Sequence, residues 1–248
     1  MEGGDQQTIR ATERLAELCA DVVGDGLRSV LLHGSLVAGG FRPGRSDLDL
    51  LVVVDEGVSD TQASALETAV TTADTGSAVA IDLHVVTADV ARTPTRDPAL
   101  ELHVGRYAGG VEVTRRVHDP DLLTELSMAR ADGRALRGSA PSEVIAPVPA
   151  SWVVDRNGYW LARWRGLTDD TKNAAFMVLT ACRMWRFAVE EVHCSKVAGA
   201  AWALDRDASL HVVRQALRQY DADPDVQVDE DGIGPLLDLV LSETERKR

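Results

Sequence analysis

Residues 33–54 read HGSLVAGGFRPGRSDLDLLVVV, and the fold is decided in this stretch. Its last eight residues, Asp47 to Val54, are apolar on both faces after the first positions and rich in valine. Such a run predicts a strand buried on both sides, in the interior of a sheet. Alternation along the strand sends Asp47 and Asp49 to one face and Leu48 and Leu50 to the other. Two carboxylates about 7 Å apart on one face repel each other, so a cation is expected beside them. Oxygen donors without thiolate or imidazole favour Mg²⁺, which takes few protein carboxylates and keeps room for substrate phosphates. Upstream, Gly34 to Gly44 reads as a glycine-rich loop with room for one helical turn. Its Ser35, flanked by glycine, can offer a hydroxyl and backbone N–H groups to phosphate oxygens. No GxxxxGK[ST] pattern occurs, which excludes a P-loop.

Outward from this stretch, Thr8 to Val23 predicts an amphipathic helix stopped by Gly24 and Gly26. Arg28 to His33 predicts a short strand, Thr61 to Ala73 a helix, and Ala78 to Val86 (AVAIDLHVV) a further strand. Asp82 interrupts that apolar strand. If it pairs beside Asp47–Val54, three acids converge, a set that can hold two metal ions about 4 Å apart. Thr87 to Pro98 reads as irregular, and Glu101 to Val117 as a hairpin around Gly109-Gly110. Asp121 to Leu136 reads as a helix begun by an aspartate. Gly138 to Pro149 carries three of the nine prolines and reads as a linker. Beyond it the segments 161–164, 171–191, 196–204, 209–219 and 234–248 read as helices, with no convincing strand. The expected fold is α+β or α/β over residues 1–148, a mixed sheet with helices, followed by an all-α domain over 149–248.

The 248 residues carry 26 basic and 39 acidic side chains, a net charge of −13. That balance argues against nucleic acid or anionic membrane as a partner and suits a cationic small molecule. Three cysteines (Cys19, Cys182, Cys194) in no CxxC pattern give neither a disulfide framework nor a zinc knuckle. The first residues lack a signal-peptide pattern, and a cytoplasmic monomer is expected. Trp152, Trp160 and Trp164, spaced by eight and four, form one helical face of the kind that packs a core. The acidic stretch 221–232 reads as a solvated loop.

The order Gly-Ser, spacer, Asp-x-Asp and a third strand acid resembles the nucleotidyltransferase superfamily. The second half resembles the aminoglycoside (3'')(9) adenylyltransferases, which modify streptomycin and spectinomycin. The matching stretches are VLTACRMW (178–185), SKVAGAAWALDRD (195–207) and ALRQY (216–220), preceded by DLLTELSMARADGRALRG (121–138). The resemblance implies ATP as co-substrate, two Mg²⁺ ions and a cationic antibiotic as acceptor. It implies that Ser35 and Ser46 touch the ATP phosphates, and that Asp47 and Asp49 bind the metal ions. Asp121, Arg183, Lys196 and Tyr220 would meet the nucleotide. Trp164, Asp169, Tyr107 and Asn173 fall where the family contacts its antibiotic.

Two positions depart from the family pattern. The third acid, a general base that is typically Glu in the family, is Asp82 here, shorter by one methylene or about 1.5 Å. It is expected to ligate metal and to act in catalysis, directly or through a water, with His84 on the same strand face as a fallback base. Asn173 stands where an acid is expected, and Asp169 or Asp170 is placed to compensate. Two other readings stay open: a transferase acting on another small alcohol or a protein hydroxyl, and a nucleotide-binding module whose active site has decayed.

Overall fold

A computed structural model describes residues 3–223 and 225–246. The chain divides into two compact units, Met1–Val148 and Pro149–Arg248.

In the first unit, helix α1 (Gly3–Val23) leads into β1 (Leu27–His33), and a glycine-rich loop returns the chain as β2 (Leu48–Val54). Helix α2 (Asp60–Thr72) crosses over to β3 (Ile81–Thr87), which is parallel to β2. Ser59 starts α2 by accepting the Gln62 N–H, and the Gln62 side chain answers the Ser59 N–H. A short helix, α3 (Ala88–Arg92), capped by Thr87, precedes the hairpin β4 (Ala99–Tyr107) and β5 (Gly110–His118). Helix α4 (Leu122–Asp132), strand β6 (Arg134–Gly138) and helix α5 (Pro141–Val144) complete the unit. The sheet order is β5-β4-β3-β2-β1-β6, antiparallel except at β2–β3.

The run read as a double-buried strand is one. Leu48, Leu50, Val52 and Val54 of β2 pack with Leu15, Cys19, Leu66 and Val70 from α1 and α2. Leu51 and Val53 pack on the opposite side with Leu122, Leu126 and Ala129 of α4 and with Val144 and Ile145. This gives three layers, and β2 lies in the middle one.

Three sequence expectations are corrected. Residues 134–136 are not the end of a helix, because α4 stops at Asp132 and β6 adds to the sheet edge beside β1. Arg134 and Arg137 pair there with Glu13 and Glu17 of α1, so tertiary partners override a helix-compatible sequence. The proline-rich stretch 138–149 is no free linker: Pro141 opens α5, and Val144 and Ile145 are buried. Residues within 87–98 form α3 instead of irregular chain.

In the second unit the helices are α6 (Ala150–Trp164), α7 (Ala174–Glu190), α8 (Lys196–Arg206), α9 (His211–Asp221) and α10 (Glu230–Glu245). Helix α6 begins eleven residues earlier than the segment expected at 161–164. Of the helix expected at 234–248, positions 247 and 248 lie outside the described residues. Helix α7 packs against α6, α8, α9 and α10 and buries Val178, Leu179, Cys182 and Trp185. Among the described residues no helix is long and apolar enough to cross a membrane.

Leu51 is fully buried between the sheet and α4. Leu51→Ala is expected to destabilise the first unit by about 2–5 kcal/mol. Denaturant unfolding followed by far-ultraviolet circular dichroism checks this. Tryptophan fluorescence is not a suitable probe, because all five tryptophans lie in the second unit.

Candidate active site

The site is built at one end of the β1–β4 sheet. Antiparallel pairing sets His33 of β1 opposite Asp49 of β2. Parallel pairing sets Asp49 beside Asp82 of β3, and antiparallel pairing sets Asp82 opposite Gly105 of β4. Residues level with one another across a sheet project to the same face, so Asp49 and Asp82 are carboxylate neighbours. Asp47 lies two positions before Asp49, and its charge reaches the Tyr107 hydroxyl, helping to raise that phenol's pKa.

The loop after β1 is shaped around Asp49. Gly34 adopts φ +68°, and a Cβ added there would lie 1.8 Å from the Asp49 Oδ2. Only glycine allows this backbone turn and this close approach together. The Ser35 Oγ is buried and has no hydrogen-bond partner among the described residues. A buried hydroxyl in that state is costly unless a ligand completes it, which fits a phosphate oxygen. Ser46 also has a place within the loop: its Oγ accepts the Arg42 N–H at 2.9 Å, and its N–H donates to the Arg42 carbonyl at 2.9 Å. Ser46 therefore closes the loop that delivers Asp47 and Asp49.

Asp82 accepts two side-chain hydrogen bonds. His103 Nε2 donates to Oδ1 at 2.5 Å and Tyr107 Oη donates to Oδ2 at 3.0 Å. Burial works against the Asp82 charge, yet the His103 hydrogen bond and the nearby His84 and His103 hold its pKa below the usual carboxylate range. The hydrogen bond to Asp82 pushes His103 up from the usual histidine value, against burial. Burial pushes His84 down. Tyr107 reaches Asp82 because Gly105 lies between them without a side chain. A Cβ on Gly105 would come within 2.4 Å of the phenol ring. Burial, then the Asp82 charge, raises the Tyr107 pKa and keeps it a donor.

His33 is fully buried, with neither ring nitrogen hydrogen-bonded. Burial pushes its pKa down to about 3, so it stands neutral beside Asp49. Asp121 precedes α4, and its N–H donates to Asp119 Oδ1 at 2.9 Å.

Within the second unit, Lys196 is the first residue of α8, after the capping Ser195. Its ammonium lies 4.7 Å from the Phe176 ring centroid and 5.8 Å from that of Tyr220. The structure thus groups Lys196 with Tyr220. Arg183 lies on α7 where Gly199 of α8 lets the helices approach; a Cβ on Gly199 would be 2.9 Å from the Arg183 nitrogen. Trp164 is buried beside Trp160 and edge-on to Phe176, at centroid distances of 6.1 and 5.8 Å. Asp169 is exposed in the turn before α7. Asn173 donates from Nδ2 to Asp170 Oδ2 at 2.7 Å, so the carboxylate placed next to the departing residue is Asp170.

Sequence reasoning missed His103, Gly105 and Phe176. The first two were within reach: His103, Gly105 and Tyr107 alternate along one strand of an expected hairpin and so share a face. Phe176 gave no signal, since its contact with Lys196 depends on how α7 and α8 pack.

A family model described as "Nucleotidyltransferase domain" matches residues 13–102, and one described as "Aminoglycoside adenylyltransferase, C-terminal domain" matches residues 143–241. An aminoglycoside (3'')(9) adenylyltransferase of Klebsiella pneumoniae is 31% identical over 207 residues, covering 78% of each chain. A spectinomycin 9-adenylyltransferase of Staphylococcus aureus is 26% identical over 206 residues, covering 79% of this chain and 78% of the relative. The crystal structure of spectinomycin adenyltransferase AAD(9) from Enterococcus faecialis with ATP and spectinomycin has the same fold. It matches with a TM-score of 0.77 at 17% identity, covering 96% of this chain and 99% of that one.

Gly34→Ala is expected to cost about 1–2 kcal/mol from the left-handed backbone alone, and more from displacing Asp49; thermal unfolding measures it. The Asp82–His103 pair has its own pH signature. A raised histidine pKa contributes stability below about pH 6.5 that is lost as pH rises through the folded value. A depressed carboxylate pKa contributes stability above about pH 3.8 that is lost as pH falls through the folded value. A double-mutant cycle of Asp82→Asn and His103→Gln in metal-free buffer should therefore give a coupling of about 1.5–3 kcal/mol near pH 5. The coupling should shrink near pH 9.

Proposed function

The chain belongs to the aminoglycoside (3'')(9) adenylyltransferases, and on that premise we propose that it transfers the adenylyl group of ATP to a hydroxyl of streptomycin or spectinomycin. Pyrophosphate leaves, and the added bulk and charge block a hydroxyl that the antibiotic needs, which confers resistance. The observation that carries this reading is the in-register pair Asp49–Asp82, set against Gly34 and the unpartnered Ser35 hydroxyl.

The donor set fits magnesium. Asp47, Asp49 and Asp82 offer hard oxygen atoms at the ends of neighbouring strands, and they are the residues that would hold two Mg²⁺ ions. When bound, the metal neutralises triphosphate charge and polarises the phosphoryl oxygens. The protein's own part is positioning. Ser35 offers its hydroxyl to a phosphate oxygen, and Ser46 holds the strand entrance in shape. In the second unit Lys196 and Tyr220 supply a cation and an aromatic face for the nucleotide and Arg183 supports its binding; in the first unit Asp121 is proposed to meet the nucleotide.

The acceptor oxygen attacks the α-phosphorus in line, an O–P bond forms, and the bond to the β-phosphate oxygen breaks. The hydroxyl proton must leave as that happens. Asp82 is kept ionised by His103 and Tyr107, and so retains acceptor capacity on the reacting face. Trp164, Asp169, Tyr107 and the Asn173–Asp170 pair are the acceptor-side residues. The net charge of −13 suits ammonium and guanidinium groups on the antibiotic.

Purified protein with ATP, Mg²⁺ and streptomycin or spectinomycin should release pyrophosphate and form an adenylylated drug, seen by mass spectrometry. Asp47→Asn should lower turnover about a hundredfold to a thousandfold while the melting curve stays cooperative. Absence of product with both drugs overturns the acceptor assignment.

A further inference from the structure

Asp82 faces more than the row it shares with Asp49. The next row of the sheet sets His84 of β3 directly opposite His103 of β4. Asp82 and His84 stand two apart on one strand and therefore project to the same side. The two imidazoles stack with centroids 4.7 Å apart and planes 23° from parallel. Asp82 Oδ1 lies 2.5 Å from His103 Nε2 and 3.9 Å from His84 Nδ1. One ligand atom from each of the three residues falls within 4.8 Å of the others. The side chains are 13–25% exposed, buried enough to be ordered and open enough to admit an ion.

We propose that Asp82, His84 and His103 form a binding site for a borderline divalent transition-metal ion of the Zn²⁺ class, distinct in donor type from the all-carboxylate magnesium set. Two imidazole nitrogens and one carboxylate leave a fourth position for water, the donor pattern of open zinc sites. Nitrogen donors select against Mg²⁺ and for ions such as Zn²⁺ and Co²⁺.

The geometry is one side-chain adjustment from ligation. Tetrahedral bonds of about 2.0–2.1 Å separate ligand atoms by about 3.3 Å. From 2.5 Å the Asp82–His103 separation opens by about 0.8 Å, and from 3.9 Å the Asp82–His84 separation closes by about 0.6 Å. The proton now shared between Asp82 and His103 is released to solvent, and the metal takes its place. Around the three ligands, Asp119 and Glu112 add negative potential that helps to retain a dication. His33 adds no opposing charge, since burial keeps it neutral. Asp82 is the one residue common to this site and to the magnesium set. The site itself does not depend on which acceptor is adenylylated.

The test is Zn²⁺ titration of chelator-stripped full-length protein by calorimetry in excess Mg²⁺, with Co²⁺ absorption as a second readout. One equivalent should bind, with a cobalt spectrum of low coordination number. His84→Ala and His103→Ala should each weaken Zn²⁺ more than about tenfold, with circular dichroism showing the fold intact. Asp47→Asn should bind Zn²⁺ unchanged, although it loses transferase activity. That separates failure of this site from failure of the transferase reading. If the wild type takes up no Zn²⁺, or if the His84→Ala/His103→Ala double variant still binds one equivalent at wild-type affinity, the proposal is overturned. If a single variant fails to fold, His84→Gln or His103→Gln takes its place with the same expectation.

Discussion

Two carboxylates, Asp49 and Asp82, occupy the same level of adjacent parallel strands, and the loop and strands around them are shaped by that placement. Like charges on neighbouring strands cost energy in a partly buried setting. The two acids are accommodated differently. Asp49 is turned against the Cα of Gly34, where any larger residue would collide with it. Asp82 is matched by the His103 N–H and the Tyr107 hydroxyl. Each device constrains its own neighbourhood: Gly34 must take a left-handed turn, and Gly105 must lack a side chain so that the phenol can lie across it.

Placing this row at the strand ends is also what makes it usable. The interior of β2 is buried on both faces and excludes water. Only near its beginning, at Asp49, is β2 itself partly open, and there the glycine-rich loop leaves the Ser35 hydroxyl without a partner among the described residues. An unmade hydrogen bond of that kind is costly, and Ser35 carries it one residue from the Gly34 against which Asp49 packs. The second unit solves a related problem with helices. Lys196 begins α8, where the helix dipole already favours negative charge, and its ammonium is held over Phe176 and Tyr220.

How much of this could be read from residues alone depends on the range of the interactions. Asp47–Val54 was legible because a strand buried on both faces writes itself as an unbroken apolar run. The shared face of Asp47 and Asp49 follows from alternation. The β6 strand was not legible: Arg134-Ala135-Leu136-Arg137-Gly138 has no strand pattern, and its pairing with β1 is supported by Glu13 and Glu17, about 120 residues away. The early start of α6 was hidden by Asn157 and Gly158, two residues that usually end helices and are here buried inside one. His103 was the costliest omission. Its role is a cross-strand relation, and the register between β3 and β4 that creates it is set by the whole hairpin.

The shorter third acid gains its meaning from that register. Asp82 cannot reach as far as a glutamate, and in isolation this looks like lost function. In this chain the short side chain stays close to its own strand, where His84 and His103 face each other. A glutamate at 82 would extend past the histidine pair. The aspartate instead accepts from one histidine and lies beside the other, which keeps it ionised and anchored. The substitution and the two histidines are thus one arrangement. A longer acid at residue 82 would have to move its carboxylate from the position at which His103 Nε2 and Tyr107 Oη now donate to it, and each of those donors would then need another acceptor.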